Sequence, residues 1–452
     1  MTVSRDTVGE QTVYYASGSS ATRLRDLRPH AGGVDLEALR DYLCCAFVPG
    51  ERTLYAGVRE LRPGASLDVE TGEVTSGPEL TEGTWSDEEP LEAHAQRLRP
   101  LLEEAVRSRL PARGEPVGIY LSGGLDSSLV AALVRHLHDG PVHTFSIHFG
   151  DETPNELQWS SMVADHIRSE HHILGFDGKT IYQHLEETLD ALDDPIGDPL
   201  TVPNFLLGRA AKAEGLSVIF NGEGGDPVFG GPKNLPMVLH ALYDGSSEDI
   251  RSAYFRSYQK CYDDLPNLIT PSFQAALKNA SPQESLLDPF LGEDSPMRSY
   301  LNKLMLINVR LKGADQILTK VANLTSAHGL RAASPLFDPT IVEAGFAIPG
   351  RYKLDGAREK AVLKEAVSDL LPEAILLRPK SGMMVPVQRW FKNDLQKPAR
   401  ARLLAKSARV APYLEQKLLK NWLDYAPMPF PRHGVKLWLV LTLELWLECN
   451  KL

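Results

Sequence analysis

The chain has 452 residues, is 43% hydrophobic and 24% charged, and carries a formal net charge of −11 at pH 7. That length and composition suit a soluble protein of two or three domains and exclude a fibrous or wholly disordered chain. The acidity argues against a duplex or tRNA substrate, which ordinarily needs a basic face.

The first twenty residues, MTVSRDTVGEQTVYYASGSS, lack the apolar core of a signal peptide, and residues 1–30 show little pattern. From Asp35 a short amphipathic helix is followed by strands, with turns at Pro49-Gly50, Pro63-Gly64 and Thr71-Gly72. Ser86-Asp-Glu-Glu89 before Pro90 reads as a capping box opening a helix to about Leu110. Its apolar stripe is Leu91, Leu98, Leu101, Leu102, Ala105 and Val106. Strands and helices then alternate. Residues 117–121, 142–147 and 217–220 read as buried strands and 171–174 as a short one, while 129–137, 156–169 and 204–214 read as helices. After Pro232 the pattern is helical to the end. The apolar run 437–447 is too short to span a bilayer and contains Glu444, so it predicts a buried helix with Trp438 and Trp446 in the core.

This alternation predicts an α/β fold with an open parallel sheet, covered by helices on both faces. Ligands in such folds lie beyond the carboxyl ends of the strands. Three segments fall there: 122–128, 147–150 and 221–226. Of the four cysteines, Cys44 and Cys45 are adjacent and Cys261 and Cys449 isolated. That is neither a disulfide framework nor a metal-ligand spacing, and it predicts a reducing, cytoplasmic setting.

The most informative stretch is VGIYLSGGLDSS, residues 117–128, in which a tight turn of Gly, Ser and Asp joins a strand to a helix. Glycines let the backbone close around an anion, and a helix N-terminus offers it unpaired N–H groups. No Gly-Lys-Ser/Thr closes the turn, so it is not a Walker A loop. Ser122, Gly123, Gly124, Leu125, Asp126 and Ser127 resemble the Ser-Gly-Gly-x-Asp-Ser pyrophosphate loop (PP-loop) of ATP pyrophosphatases. A second turn, Asn221-Gly-Glu-Gly-Gly-Asp226, also follows a strand, about 100 residues later. Two aspartates at the ends of neighbouring strands can hold Mg²⁺ between them.

The two motifs in this order resemble the synthetase domain of asparagine synthetases and β-lactam synthetases. Pro154–Leu157 (PNEL), Glu170–His172 (EHH), Gly197–Pro199 (GDP), Phe229–Gly231 (FGG) and Arg378-Pro379-Lys380 extend the likeness over about residues 35–450. The resemblance implies ATP and Mg²⁺ as cofactors, with Asp126 and Asp226 as metal ligands. Ser122, Gly124, Ser127 and Ser128 would hold the pyrophosphate. Ile147 and Gly222 would contact the nucleoside, with Leu121 and Asn221 in the same nucleotide site. Lys380 would stabilise the departing pyrophosphate, and Glu223 would act as base toward an amine. A bland reading of Glu223 is a carboxylate that accepts backbone N–H bonds within its turn. Met383 and Met384 suit either an acyl pocket or gap-filling core. His171 and His172 read as a packed strand-end pair without a catalytic role.

Residues 1–85 resemble the last part of the glutaminase domain of these enzymes, truncated and inactive, and 86–452 their synthetase domain. The family's glutaminase uses an N-terminal Cys, whereas this chain begins Met1-Thr2. Two departures bear on the substrate. Pro227 stands where asparagine synthetases typically have Glu, and 327–338 replaces a more acidic stretch while keeping Arg331, Pro335 and Asp338.

The expected function is therefore an ATP-dependent synthetase that adenylates a carboxylate and passes the acyl group to an amine, in specialised-metabolite (antibiotic) biosynthesis. Its expected partners are a small-molecule or peptide carboxylate and an amine, without nucleic acid or membrane, and a homodimer is compatible. Alternatives are a lactam or macrolactam cyclase, including the lasso-peptide type, an ammonia-dependent asparagine synthetase-like enzyme, and a non-catalytic nucleotide-binding relative.

Overall fold

The computed structural model describes residues 1–151, 153–231, 234, 236–239, 249–355, 358–379, 381–425 and 432–452. Its centre is a five-stranded, wholly parallel sheet of β1 (Val117–Tyr120), β2 (Val142–His148), β3 (Glu170–Gly175), β4 (Val218–Phe220) and β5 (Arg331–Ala333). The strand order is β5-β4-β1-β2-β3. The inner strands are short apolar runs because helices cover both faces and leave no wet side.

The helices that position the site are α1 (Leu36–Cys45), α2 (Leu91–Arg107), α3 (Leu125–Leu137), α4 (Leu157–His166), α5 (Thr201–Ala213), α6 (Gly225–Phe229), α7 (Ala361–Ala366) and α8 (His433–Asn450). Several bounds differ from the sequence expectation. Helix α2 begins after Pro90, with Pro90 at the cap and no side-chain cap bond, so Ser86 does not open it. Ser86 Oγ instead accepts from Glu88 N in the preceding turn. Helix α3 begins at Leu125, four residues before the apolar run, so the Asp-Ser-Ser segment is itself helical. Residues 1–30 form strands Thr2–Ser4, Tyr14–Ala16 and Ser19–Ala21 in two small antiparallel sheets. The region after Pro232 is not wholly helical, since it contains β5 and a hairpin of Leu354–Asp355 with Arg358–Glu359.

One core surrounds α8, whose Trp438 and Trp446 are fully buried. Tyr42 of α1 donates to Leu439 O at 3.0 Å, and Trp446 Nε1 donates to Asp193 O at 3.0 Å. Glu444, the polar residue of that run, is buried and accepts from the N–H groups of Arg409 and Val410. A second core lies between the sheet, α2 and α3. Arg23 reaches Asp193 at 2.9 Å and Arg62 reaches Asp315 at 2.9 Å, tying the N-terminal segment to the sheet-bearing part. No helix among the described residues is long and apolar enough to cross a membrane.

Lys353 is buried beside the second core, donating to Asn302 Oδ1 at 2.6 Å and Gly345 O at 2.8 Å. Burial pulls its pKa down to about 7, against about 10.4 for an unfolded lysine. Below pH 7 both states hold the proton and the burial penalty is full. Between these two values unfolding takes up a proton, so stability rises with pH. Relative to Lys353→Met, the wild type is expected to gain on the order of 2 kcal/mol from pH 7 to pH 9. Parallel denaturant-unfolding profiles for the two proteins would contradict this.

Candidate active site

A cavity of about 360 Å³ opens at the carboxyl ends of β1, β2 and β4. Its wall includes Leu121, Ser122, Gly124, Asp126, Ser127, Ile147, Asn221, Gly222, Glu223 and Asp226, so ten of the expected site residues meet there. Ser128 does not reach it. That residue is fully buried under the loop, with its Oγ unpartnered. Lys380 lies outside the described residues.

The first loop is shaped from within. Ser122 N donates to Ser127 Oγ at 3.1 Å, Ser127 Oγ donates to Gly124 O at 3.2 Å, and Gly124 N donates to Ser122 Oγ at 3.3 Å. Gly123 has φ of 76°, and a Cβ there would lie 2.5 Å from Ser160 N, so only glycine fits. Helix α3 starts directly from this loop, and no side chain caps it at Gly124. Its first-turn N–H groups are therefore left for an anion.

The second loop is clamped by Asn221, whose Nδ2 donates to Ala333 O at 3.1 Å and Ser334 Oγ at 2.9 Å. Its Oδ1 accepts from Glu223 N at 3.0 Å, which fixes the turn. The two loops press together so closely that a Cβ on Gly225 would meet the Asp126 carboxylate at 2.2 Å.

Lys360 belongs to none of the motifs legible in the sequence. It is almost fully buried at the cap of α7, with φ of 55°. Its Nζ donates to both Asp126 oxygens at 2.7 Å and to Asp226 Oδ1 at 2.5 Å. The two carboxylates thus converge on the Lys360 ammonium, and as paired anionic oxygen donors they fit Mg²⁺ by charge and donor type.

Glu223 faces the ion pair of buried Lys320 with half-buried Asp198. Burial opposes ionisation of Asp198, but Lys320 at 2.6 Å and the Leu200 N–H hold its carboxyl down at about 2. Burial likewise opposes the charge on Lys320, yet Asp198 and Glu223 raise its pKa. The GDP motif therefore contributes Asp198 as the lysine's partner.

Arg378 explains two further motifs. It donates to Gly123 O at 2.8 Å, pairs with Glu156 and Ser381, and lies 5.0 Å over the Trp159 ring. Glu156, Ser381, Gly382 and Met383 line the cavity, whereas Met384 is exposed. Arg331 and Asp338 instead hold Arg109, through its carbonyl at 2.7 Å and its guanidinium at 2.8 Å respectively. The far wall comes from a π-helical segment, Asn308–Leu318, which contributes Asn308, Lys312 and Ile317. Tyr120, Phe145, Leu200 and Leu207 make an apolar side, and Pro227 lines the cavity as well. Neither His171 nor His172 does. His171 pairs with Thr144 Oγ1 at 2.8 Å, and burial lowers its pKa.

Residues 97–448 match the sequence model of the family described as asparagine synthase. A Bacillus subtilis protein named asparagine synthetase [glutamine-hydrolyzing] 1 is 24% identical over 92% of this chain and 69% of its own length. A putative asparagine synthetase [glutamine-hydrolyzing] of Mycobacterium bovis is 24% identical over 98% of this chain and 73% of its own. Among solved structures, an NH3-dependent NAD synthetase from Campylobacter jejuni overlaps 42% of this chain and 93% of its own, at 16% identity and a TM-score of 0.23. That overlap adds nothing to the fold evident in the sheet itself.

Proposed function

The chain belongs to the asparagine synthase family, and from that premise we propose that it adenylates a carboxylate with ATP, releases pyrophosphate and passes the acyl group to an amine. Members of the family are ATP-dependent ligases that form carbon–nitrogen bonds. The observation that carries this reading is the convergence of Asp126 and Asp226 on Lys360, beside the open N-terminus of α3.

In this reading Asp126 and Asp226 would hold Mg²⁺, whose charge offsets that of the polyphosphate. Ser122 and Gly124 shape the loop from within, the uncapped first turn of α3, which includes Ser127, presents its N–H groups to pyrophosphate oxygens, and Lys360 brings positive charge to the same place. Ile147, Gly222 and the apolar side formed by Tyr120 and Phe145 take the nucleoside. Glu223 accepts a proton from the attacking amine. The carboxylate substrate lies between Glu223 and the π-helical wall, where Ile317, Val321 and Met383 favour an apolar acyl chain over free aspartate. That wall and Pro227 support a specialised-metabolite amide or lactam as product. Pyrophosphate release, screened across pooled carboxylic acids, tests the reading; release that no carboxylate stimulates would contradict it.

The amine is expected to come from a co-substrate or the same molecule rather than from glutamine. Burial pushes the Cys44 and Cys45 thiols well above their usual range, Cys261 up to about 12 and Cys449 up to about 11. None is an activated thiolate. Purified protein incubated with glutamine is expected to release no glutamate, and release of glutamate would overturn this claim.

A further inference from the structure

At the outer edge of the sheet, away from the cavity, four side chains with metal-ligating atoms meet. His143 of β2 stands opposite Glu170 of β3 in the parallel register, and His172, two residues on, shares that face. Glu214, the C-cap residue just after α5, reaches the same point. One nitrogen or oxygen from each lies within 4.8 Å of the others. None of the four lines the cavity.

The two imidazoles are largely sheltered, and His143 Nδ1 and His172 Nε2 are 3.1 Å apart. Glu170 lies 3.8 Å from His143 Nδ1 and 3.9 Å from His172 Nε2. These are too long for hydrogen bonds. One proton can bridge the two nitrogens, but it leaves the carboxylate unengaged by either ring. A cation between the three satisfies all of them. Ligand atoms about 2.0–2.1 Å from a tetrahedral ion sit roughly 3.3 Å apart, close to the spacing the nitrogens already have. Glu170, exposed on an edge strand, has only a short distance to close. Glu214 lies 3.9 Å from the other ring nitrogen of His172, Nδ1. A carboxylate in that position orients a ligating imidazole.

We propose that His143 Nδ1, His172 Nε2 and Glu170, with water as the fourth ligand, form a site for a divalent transition ion, with Glu214 as the positioning residue behind His172. Two imidazole nitrogens select Zn²⁺ or a similar ion over Mg²⁺ and Ca²⁺, which take oxygen ligands. The ion clips the edge strand β3 to β2. It also steadies Phe145, a cavity residue whose ring stacks on His172 at 4.7 Å.

The test uses the full chain, stripped with chelator and returned to excess Mg²⁺ so that oxygen-only sites such as the Asp126–Asp226 pair are filled. Titration with Zn²⁺ should show one equivalent bound, and Co²⁺ should give the intense visible bands of a four-coordinate site. His172→Gln is expected to weaken Zn²⁺ binding by roughly 100-fold or more, and Glu214→Gln by about 10-fold. Zn²⁺ should raise the thermal midpoint of the wild type but not of His172→Gln. Glu170→Gln removes an exposed ligand without touching the core, so it gives a second deletion whose folding is not in question. Absence of Zn²⁺ uptake would overturn the proposal. So would uptake unchanged by both His172→Gln and Glu170→Gln, or uptake lost only in Asp126→Asn.

Discussion

Asp126→Asn and Asp226→Asn are each expected to lower turnover by roughly 10³-fold or more, with far-UV circular dichroism and thermal midpoint close to wild type. The carboxylates come from the first turns of α3 and α6, just past the loops after β1 and β4, and both contact the Lys360 ammonium. Asparagine keeps the shape of either side chain but removes half the negative charge available to a bound Mg²⁺. In each variant the other carboxylate still faces the buried Lys360 ammonium, so that charge is not left without a partner in the fold. Turnover is read as pyrophosphate release with the true carboxylate. A variant that keeps near-normal turnover would remove its residue from the metal site.

Glu223→Gln is expected to separate two half-reactions that Lys360→Met damages together. Glu223 lies between the glycines of the second turn, three residues before Asp226, and lines the cavity. If it takes the amine's proton, its amide variant should leave exchange of labelled pyrophosphate into ATP largely intact. Amide product should fall by roughly 10²–10⁴-fold, the range of a positioned general base. Lys360→Met removes the charge proposed to meet the phosphates, and Lys380→Ala carries the same expectation, so exchange should fall with product in both. Loss of exchange in Glu223→Gln as severe as in Lys360→Met would assign Glu223 to the nucleotide site and leave the base to be sought elsewhere.

The parts legible in the sequence are those that local pattern encodes. Buried parallel strands are continuous apolar runs, so β1, β2 and β4 stand out, and the loops that follow them carry Gly, Ser and Asp in recognisable order. Helix α3 reads too short because Asp126, Ser127 and Ser128 are poor helix formers, yet they make its first turn, where the phosphate loop and the helix start are the same residues. Strand β5 is only Arg-Ala-Ala, and nothing in that composition predicts a strand. It exists because Val218, Ile219 and Phe220 of β4 pair with it, and Asn221 clamps the junction. Lys360 is invisible for the same reason. It lies 234 residues from Asp126 and sits in no phosphate motif, and a left-handed cap aims its side chain at the aspartates. Arg378 and Glu156 were visible as motif members, but their contact with each other is tertiary. Contacts between distant segments, unlike strand runs and loop chemistry, leave no local signature.

The most direct test of the central claim is the identity of the nucleotide products formed in the presence of the carboxylate that stimulates turnover. A single loop proposed to hold pyrophosphate, beside an aspartate pair and with no Walker A lysine, predicts cleavage between the α- and β-phosphates. AMP and pyrophosphate should therefore appear in equal amounts with the amide, and labelled pyrophosphate should exchange into ATP when the amine is withheld. ADP and inorganic phosphate as the products would contradict it.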